Sequence, residues 1–185
     1  RLEGEEIQCA ILKSRSPTCG VNQVYDGTFS GVRIEGQGAL ARALKEKLGL
    51  PLVHLDQLWW KENWEHVTRE EFDSRLAMAV NMDRWIIDGN YGSTLELRME
   101  ACDTVIFLDY PVEVCISGVE ERRGKPRADM PWVETEPDLE FIEFIKKYNE
   151  ESRPKVIALL EKYCEKEIII FKSRAEADEY LRSAL

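Results

Sequence analysis

A chain of 185 residues with 44% hydrophobic content is long enough for one well-buried core. Its formal net charge of -10 and pI near 4.9 exclude nonspecific binding of a nucleic-acid backbone, a contact made by clustered Lys and Arg. No apolar run approaches the roughly 20 residues that cross a bilayer, the opening "RLEGEEIQ" is too acidic for a signal peptide, and the five cysteines include no C-x-x-C pair that would suggest a metal or redox site. The expectation is a cytoplasmic protein with reduced thiols and no membrane contact.

Taken in chain order, "QCAILK" (8–13) is the first short apolar run, followed by "PLVHLD" (51–56), "RWIIDG" (84–89), "TVIFLDY" (104–110) and "EIIIFKS" (167–173). Each is near-continuous in Val, Ile, Leu or Phe, the pattern of strands buried on both faces. Between the first two lies "ALARALKEKL" (39–48), which puts Leu40, Ala43, Leu44 and Leu48 on one helical stripe before Gly49 closes it. "TREEFDSRLAMAVN" opens with Thr68 and carries Glu71 three residues later, a capping box, and Phe72, Leu76, Ala79 and Val80 continue an apolar face. Pro111 suits the first turn of a helix over 111–122; 138–150, 153–163 and the closing "SRAEADEYLRSAL" read as further amphipathic helices. Strands alternating with helices imply parallel crossovers, and the expected fold class is α/β, a three-layer α/β/α sandwich around a five-stranded parallel sheet.

Ligands of such a sheet sit beyond the carboxyl ends of its strands. Three strands end in acid there: Asp56, Asp88 and Asp109. An Asp in that position serves equally as a helix or turn cap, so each residue alone leaves both roles open. A second cluster is "RRGKPR", in which Arg122, Arg123, Lys125 and Arg127 gather positive charge in an otherwise acidic chain, and Gly124 and Pro126 mark it as loop. Phosphoryl transfer needs such charge over the oxygens of the moving group; the plainer reading is a solvated basic turn offset by the acidic residues after it.

From about residue 39 to the end the chain resembles the FlaR-like DNA topology modulation family of P-loop kinases, relatives of adenylate and shikimate kinases. The resemblance is carried by "LARALKEKLGLPLVHLDQLWW", "WIIDGNYGSTLELRMEACDTVIFLDYP", "ERRGKPRADMP" and "IIIFKSRAEADEYL". It implies an ATP- and Mg2+-dependent phosphotransferase whose partners are a nucleotide and a small-molecule acceptor. Asp56, with Trp59 and Trp60 behind it, would orient or deprotonate the attacking hydroxyl, and Arg122 and Arg127 would be the catalytic lid cations. Arg123 would contact the nucleotide, Asp88 would hold the metal, and "FKSRAEAD" would border the adenine. The segment "DGNYGSTLELR" is similar to the substrate loop of nucleotide kinases and makes Asn90, Tyr91 and Arg98 substrate-binding candidates, although the Arg of that pattern is absent at its usual spacing.

The same family carries G-x-x-x-x-G-K-[ST] after its first strand, with backbone N-H groups and Lys on the phosphates and Ser or Thr on the metal. Gly31 and Gly36 have the glycine spacing, but Gln37 and Gly38 stand where Lys and Ser or Thr belong. Gly36, Gln37, Gly38 and Ala39, at the start of the helix, remain the nucleotide-binding candidates, since a helix N-terminus favours an anion without any lysine. Lys13, at the end of the first strand, is a remote substitute for the missing charge.

Upstream, "LKSRSPTCG" and "YDGTFSG" resemble the iron-sulfur thiouracil desulfidase family, over residues 1–38. There a cysteine matching Cys19 is one of three ligands of a [4Fe-4S] cluster; the other two would lie upstream of the matching segment, and Cys9 matches neither. The chain therefore reads as a composite: residues 1–38 supply the first strand and a loop of some 25 residues, and 39–185 are a kinase-like domain, in a single compact domain overall. Three functions follow. The first is a phosphotransferase with a degenerate phosphate loop, the second a non-catalytic nucleotide-binding domain, and the third a remnant of an iron-sulfur desulfidase.

Overall fold

The computed structural model describes residues 8–12, 24–25, 33–34, 39–127 and 129–183. The strands are β1 (Gln8–Leu12), β2 (Val24–Tyr25), β3 (Arg33–Ile34), β4 (Leu52–His54), β5 (Trp85–Asp88), β6 (Thr104–Leu108) and β7 (Glu167–Phe171). The helices are α1 (Ala39–Leu48), α2 (Leu55–Trp59), α3 (Arg69–Val80), α4 (Leu95–Ala101), α5 (Val112–Arg122), α6 (Leu139–Glu151), α7 (Arg153–Lys162) and α8 (Arg174–Ser183). One parallel sheet runs in the order β4-β5-β1-β6-β7, and β2 and β3 form a separate antiparallel ladder inside the stretch between β1 and α1. No helix among the described residues is long and apolar enough to cross a membrane.

The sheet accounts for the continuous apolar runs. Successive strand residues point to opposite faces, and here both faces are covered. Ile86, Ile106 and Leu108 face α1, α5, α6 and α8, meeting Leu44, Val119, Ile145 and Ala177 in one core. Their neighbours Trp85, Ile87, Val105 and Phe107 face α3, α4 and α7, meeting Leu76, Met99 and Leu160 in the other. Alternate residues are thus withdrawn from water by different helical layers, and β6 is buried along its whole length, with Thr104, its one polar residue, placed at its start.

Local chemistry sets the helix ends. Thr68 accepts a hydrogen bond from the Glu71 N-H at 3.2 Å, realising the capping box, and Asp138 does the same for Phe141 at 2.9 Å. Gly49, at φ +65, lets its N-H return to the Lys45 carbonyl at 2.9 Å and ends α1. The sequence reading did not separate out α2 and α4. Helix α4 has only seven residues, and its buried face combines Leu95 and Met99 with Arg98, so an apolar stripe never forms.

Gly89, just beyond β5, decides how the site is assembled. Its φ of +138 is open to glycine, and a Cβ there would lie 2.9 Å from the Leu55 Cβ. The turn that carries Asn90 and Tyr91 is thereby pressed against the first residue of α2. Gly89→Ala is expected to lower the unfolding free energy by about 2–3 kcal/mol through backbone strain and overpacking, read from urea denaturation; an unchanged midpoint would contradict the close approach.

Candidate functional site

Strand β1 lies between β5 and β6; the chain runs from β1 to β4 on one side, and from β5 it crosses past β1 to β6 on the other, so the carboxyl ends of β4, β5 and β6 border the point where connections diverge. His54 ends β4, and its Nδ1 lies 3.0 Å from Asp88 Oδ2 at the end of β5, with both side chains only about 15% exposed (15% and 14%). Two residues on, Asp56 enters α2, and its Oδ1 accepts a hydrogen bond from the Tyr91 hydroxyl at 2.7 Å. Tyr91 is itself packed against Phe72, ring centroids 5.1 Å apart, so the carboxylate is held by a hydroxyl whose own ring is fixed.

The loop after α5 brings the cations to the same place. Arg127 grips Asp129 with both arms, Nε to Oδ1 at 3.0 Å and Nη2 to Oδ2 at 2.6 Å, and donates from Nη1 to Glu134 at 3.2 Å. Arg122 lies 3.5 Å from the same Glu134 carboxylate and over the Phe141 ring, and its Nε is buried without a hydrogen-bond partner. The Gly124 N-H closes on the Glu134 carbonyl at 2.8 Å, tying the two ends of this loop together. Arg122 and Arg127 are thus drawn in against Glu134 and Asp129, whereas Arg123 pairs with Glu120 of α5 and Gly124, Lys125 and Pro126 are exposed.

Burial dominates the electrostatics. Asp56 has its pKa raised because burial disfavours the carboxylate and the Asp129 and Asp88 charges add to that, while Tyr91 and Arg127 oppose it. Burial pushes the Arg122 guanidinium down to about 10, with Arg127 adding to it. For His54, burial alone would lower the pKa, but the hydrogen bond and charge of Asp88, with Asp129 and Asp56, outweigh it and the value rises above 6.5. The folded state then holds this proton more tightly than the unfolded chain. The resulting stabilisation is complete below pH 6.5 and is lost as pH rises through the elevated folded value. Urea midpoints measured upward from about pH 6.5 should decline, and His54→Gln should flatten that decline; an equal decline in the variant would assign it to other groups.

Asp56, Asp88, Tyr91, Arg122 and Arg127 are thus gathered at one edge of the sheet, each within electrostatic or hydrogen-bond reach of another. Other candidates sit elsewhere or are otherwise engaged. Arg98 is fully buried and donates to the carbonyls of Gly89 at 2.7 Å, Tyr91 at 3.1 Å and Thr94 at 3.3 Å, holding the 89–94 turn from beneath. Arg123 pairs with Glu120 and lines a small cavity between α5 and α6 with Glu134, Glu136 and Asp138. Asn90 is half-buried and directed toward Tyr148. Asp109 is neither cap nor open ligand: 7% exposed, it takes Arg153 Nε and Nη2 at 2.8 Å each and pairs with Lys172. Burial would raise its pKa, but Arg153 and Lys172 bring it below the ordinary value.

Lys13, Cys19, Gly31, Gly36, Gln37 and Gly38 lie outside the described residues, and Ala39 is the first residue of α1. Among the described residues no group of three His, Cys, Asp or Glu side chains could hold a metal ion. The Arg122 Nε makes no hydrogen bond but faces Glu134 Oε2 at 3.5 Å. His54, Asp129 and Glu134 complete the site and were not singled out as functional from the sequence. The signal available for His54 was its place two residues before Asp56 at a strand end.

Comparison with known proteins divides the chain. The model of the family 2-thiouracil desulfurase matches residues 1–54, which carries that likeness beyond residue 38, through α1 and β4. The curated "Uncharacterized protein YbbK" of Bacillus subtilis (strain 168) is 53% identical over 36 residues, 20% of this chain and 24% of that protein. The chain thus spans about a quarter of the length of that relative. The crystal structure of shikimate kinase from Bacteroides thetaiotaomicron matches 96% of both chains with a TM-score of 0.52 at 15% identity. The protein therefore has a mixed α/β fold similar to that of shikimate kinase, and its first 54 residues are similar to 2-thiouracil desulfurase.

Proposed function

We propose that this chain is a FlaR-like, P-loop kinase-like phosphotransferase that moves a phosphoryl group from ATP to the hydroxyl of a small molecule or nucleotide, with a degenerate phosphate loop. The observation that carries the reading is Asp56: a half-buried carboxylate with raised proton affinity, oriented by Tyr91, facing Arg122 and Arg127 at the carboxyl edge of a sheet of this fold. A bound nucleoside triphosphate and its Mg2+ would supply the phosphoryl group and neutralise part of its charge, with Asp88 as the carboxylate placed to hold the ion. Asp56 would accept the proton that the acceptor hydroxyl loses as its oxygen bonds to phosphorus, and burial moves its pKa toward the working range of a general base. Tyr91 would keep one carboxylate oxygen occupied so that the other meets the acceptor. Arg122, whose Nε faces Glu134 Oε2 at 3.5 Å without a hydrogen bond, would turn toward the transferring oxygens, and Arg127 would exchange Glu134 or Asp129 for phosphate.

Gln37 and Gly38 favour a second reading, a nucleotide-binding domain without turnover, because neither supplies the charge or hydroxyl of the usual loop. Calorimetry with ATP and Mg2+, together with a continuous assay of ADP release, separates the two. The first reading expects Mg2+-dependent turnover, and Arg122→Ala lowering kcat about 10²-fold with little change in nucleotide affinity. Binding without turnover would select the second, and no binding of ATP would sink both.

A further inference from the structure

Three aromatic side chains beside Asp56 are not explained by packing alone. Trp60 follows α2, its N-H closing on the Asp56 carbonyl at 2.9 Å, and its ring meets Trp132 of the Arg127 loop edge-on at 5.4 Å. Trp64 also reaches Trp132, with ring centroids 4.4 Å apart and 35° between planes. Two features of this corner are unfulfilled. Asn63 and Trp64 are consecutive non-glycine residues at φ 58 and 61, a left-handed backbone that costs of order 1–3 kcal/mol per residue, yet the Trp64 side chain it presents is still 54% exposed. The Trp132 indole N-H, meanwhile, is out of solvent and has no hydrogen-bond partner. If the strain served only to bury tryptophan, Trp64 would be covered. Buried polar groups are ordinarily hydrogen-bonded; the Trp85 Nε1 of the core also has no partner, but Trp132, unlike Trp85, is only half-buried and stands against the exposed Trp64.

Resting on the phosphotransferase reading, we infer that this corner is the acceptor subsite, and that it takes a planar heteroaromatic ring carrying an acceptor atom for the Trp132 N-H and a hydroxyl that reaches Asp56. The free area of Trp64 offers a stacking surface, worth about 1–3 kcal/mol per base in other aromatic platforms. The indole N-H offers one directional contact, and a ring that accepted it would remove an unsatisfied buried donor. A non-aromatic polyol could use neither. Arg122 and Arg127, on the neighbouring loop, would remain for phosphate.

Uridine and adenosine serve as probes and ribose as the control, each titrated calorimetrically into the full chain. Both nucleosides should bind saturably and ribose should not. Trp64→Leu should weaken nucleoside binding about tenfold or more, and Trp132→Phe, which keeps the ring and deletes only the N-H, about fivefold to tenfold; circular dichroism checks that both variants fold. Ribose binding as well as the nucleosides, neither nucleoside binding, or nucleoside affinity indifferent to both substitutions would overturn the inference. The two failures are distinguishable. Turnover of ATP on a non-aromatic alcohol with no nucleoside binding overturns the aromatic subsite and leaves the phosphotransferase, whereas nucleoside binding lost on Trp64→Leu in a chain that never turns over ATP supports the subsite and removes the phosphotransferase.

Discussion

Asp56→Asn is expected to lower phosphoryl transfer by about 10²–10⁴-fold while leaving the chain as stable as before or more so. The amide oxygen can still accept the Tyr91 hydroxyl that now sits 2.7 Å from Oδ1, and the side-chain volume hardly changes. What disappears is the capacity to take a proton. The sign of the stability change follows from the raised pKa: burial disfavours the Asp56 carboxylate in the folded state, so above the ordinary carboxylate range the charge costs stability, and an uncharged amide removes that cost. A rate that falls while the urea midpoint holds or rises marks a group retained for function at the expense of stability. Stability lost with the rate untouched would make Asp56 a structural residue.

The second large effect is expected at Arg98. Arg98→Met should reduce the unfolding free energy by about 2–4 kcal/mol, because each buried carbonyl left without a donor costs roughly 1–3 kcal/mol. Exchanging a buried cation for an apolar side chain often stabilises a protein, so the direction is a real test. Here the guanidinium touches backbone oxygens, not a carboxylate, and the Gly89 carbonyl at 2.7 Å is its strongest contact. Burial lowers the Arg98 pKa to about 10, so it still carries its charge near neutrality and donates fully. Arg98→Lys should recover only part of the loss, since one ammonium cannot reproduce a planar fork spread over three carbonyls. The turn held by Arg98 carries Tyr91, so transfer should fall in both variants. A fully stable Arg98→Met would mean that the 89–94 turn is fixed by Gly89 and Leu55 without it.

Much of the framework was legible in the residues. The five apolar runs became the paired strands of the main sheet, and in β5 and β6 alternate residues are covered from opposite sides, as Ile86 and Ile87 are. Thr68 with Glu71 was readable as a cap because the signal lies within four residues. Helix α4 was not, because the face it buries includes Arg98, whose charge conceals the period. Within the site, Asp56 and Asp88 stood out as strand-end acids. Arg98, which the resemblance to a substrate loop made a binding candidate although the Arg of that pattern is absent at its usual spacing, is enclosed with backbone carbonyls.

By itself, then, the sequence determined an alternating α/β chain, the strand-end acids, the cationic loop and the absence of Lys and Ser or Thr at positions 37 and 38, since periodicity, caps and motifs are written among near neighbours. Only the tertiary structure decided which groups meet. His54 and Asp88 are 34 positions apart and Tyr91 and Asp56 are 35, and Arg127 reaches Glu134 where the Gly124 N-H closes the loop on the Glu134 carbonyl. A charge acquires its role from the partner it finds in a low-dielectric site, and in this fold that partner arrives from another strand, turn or loop.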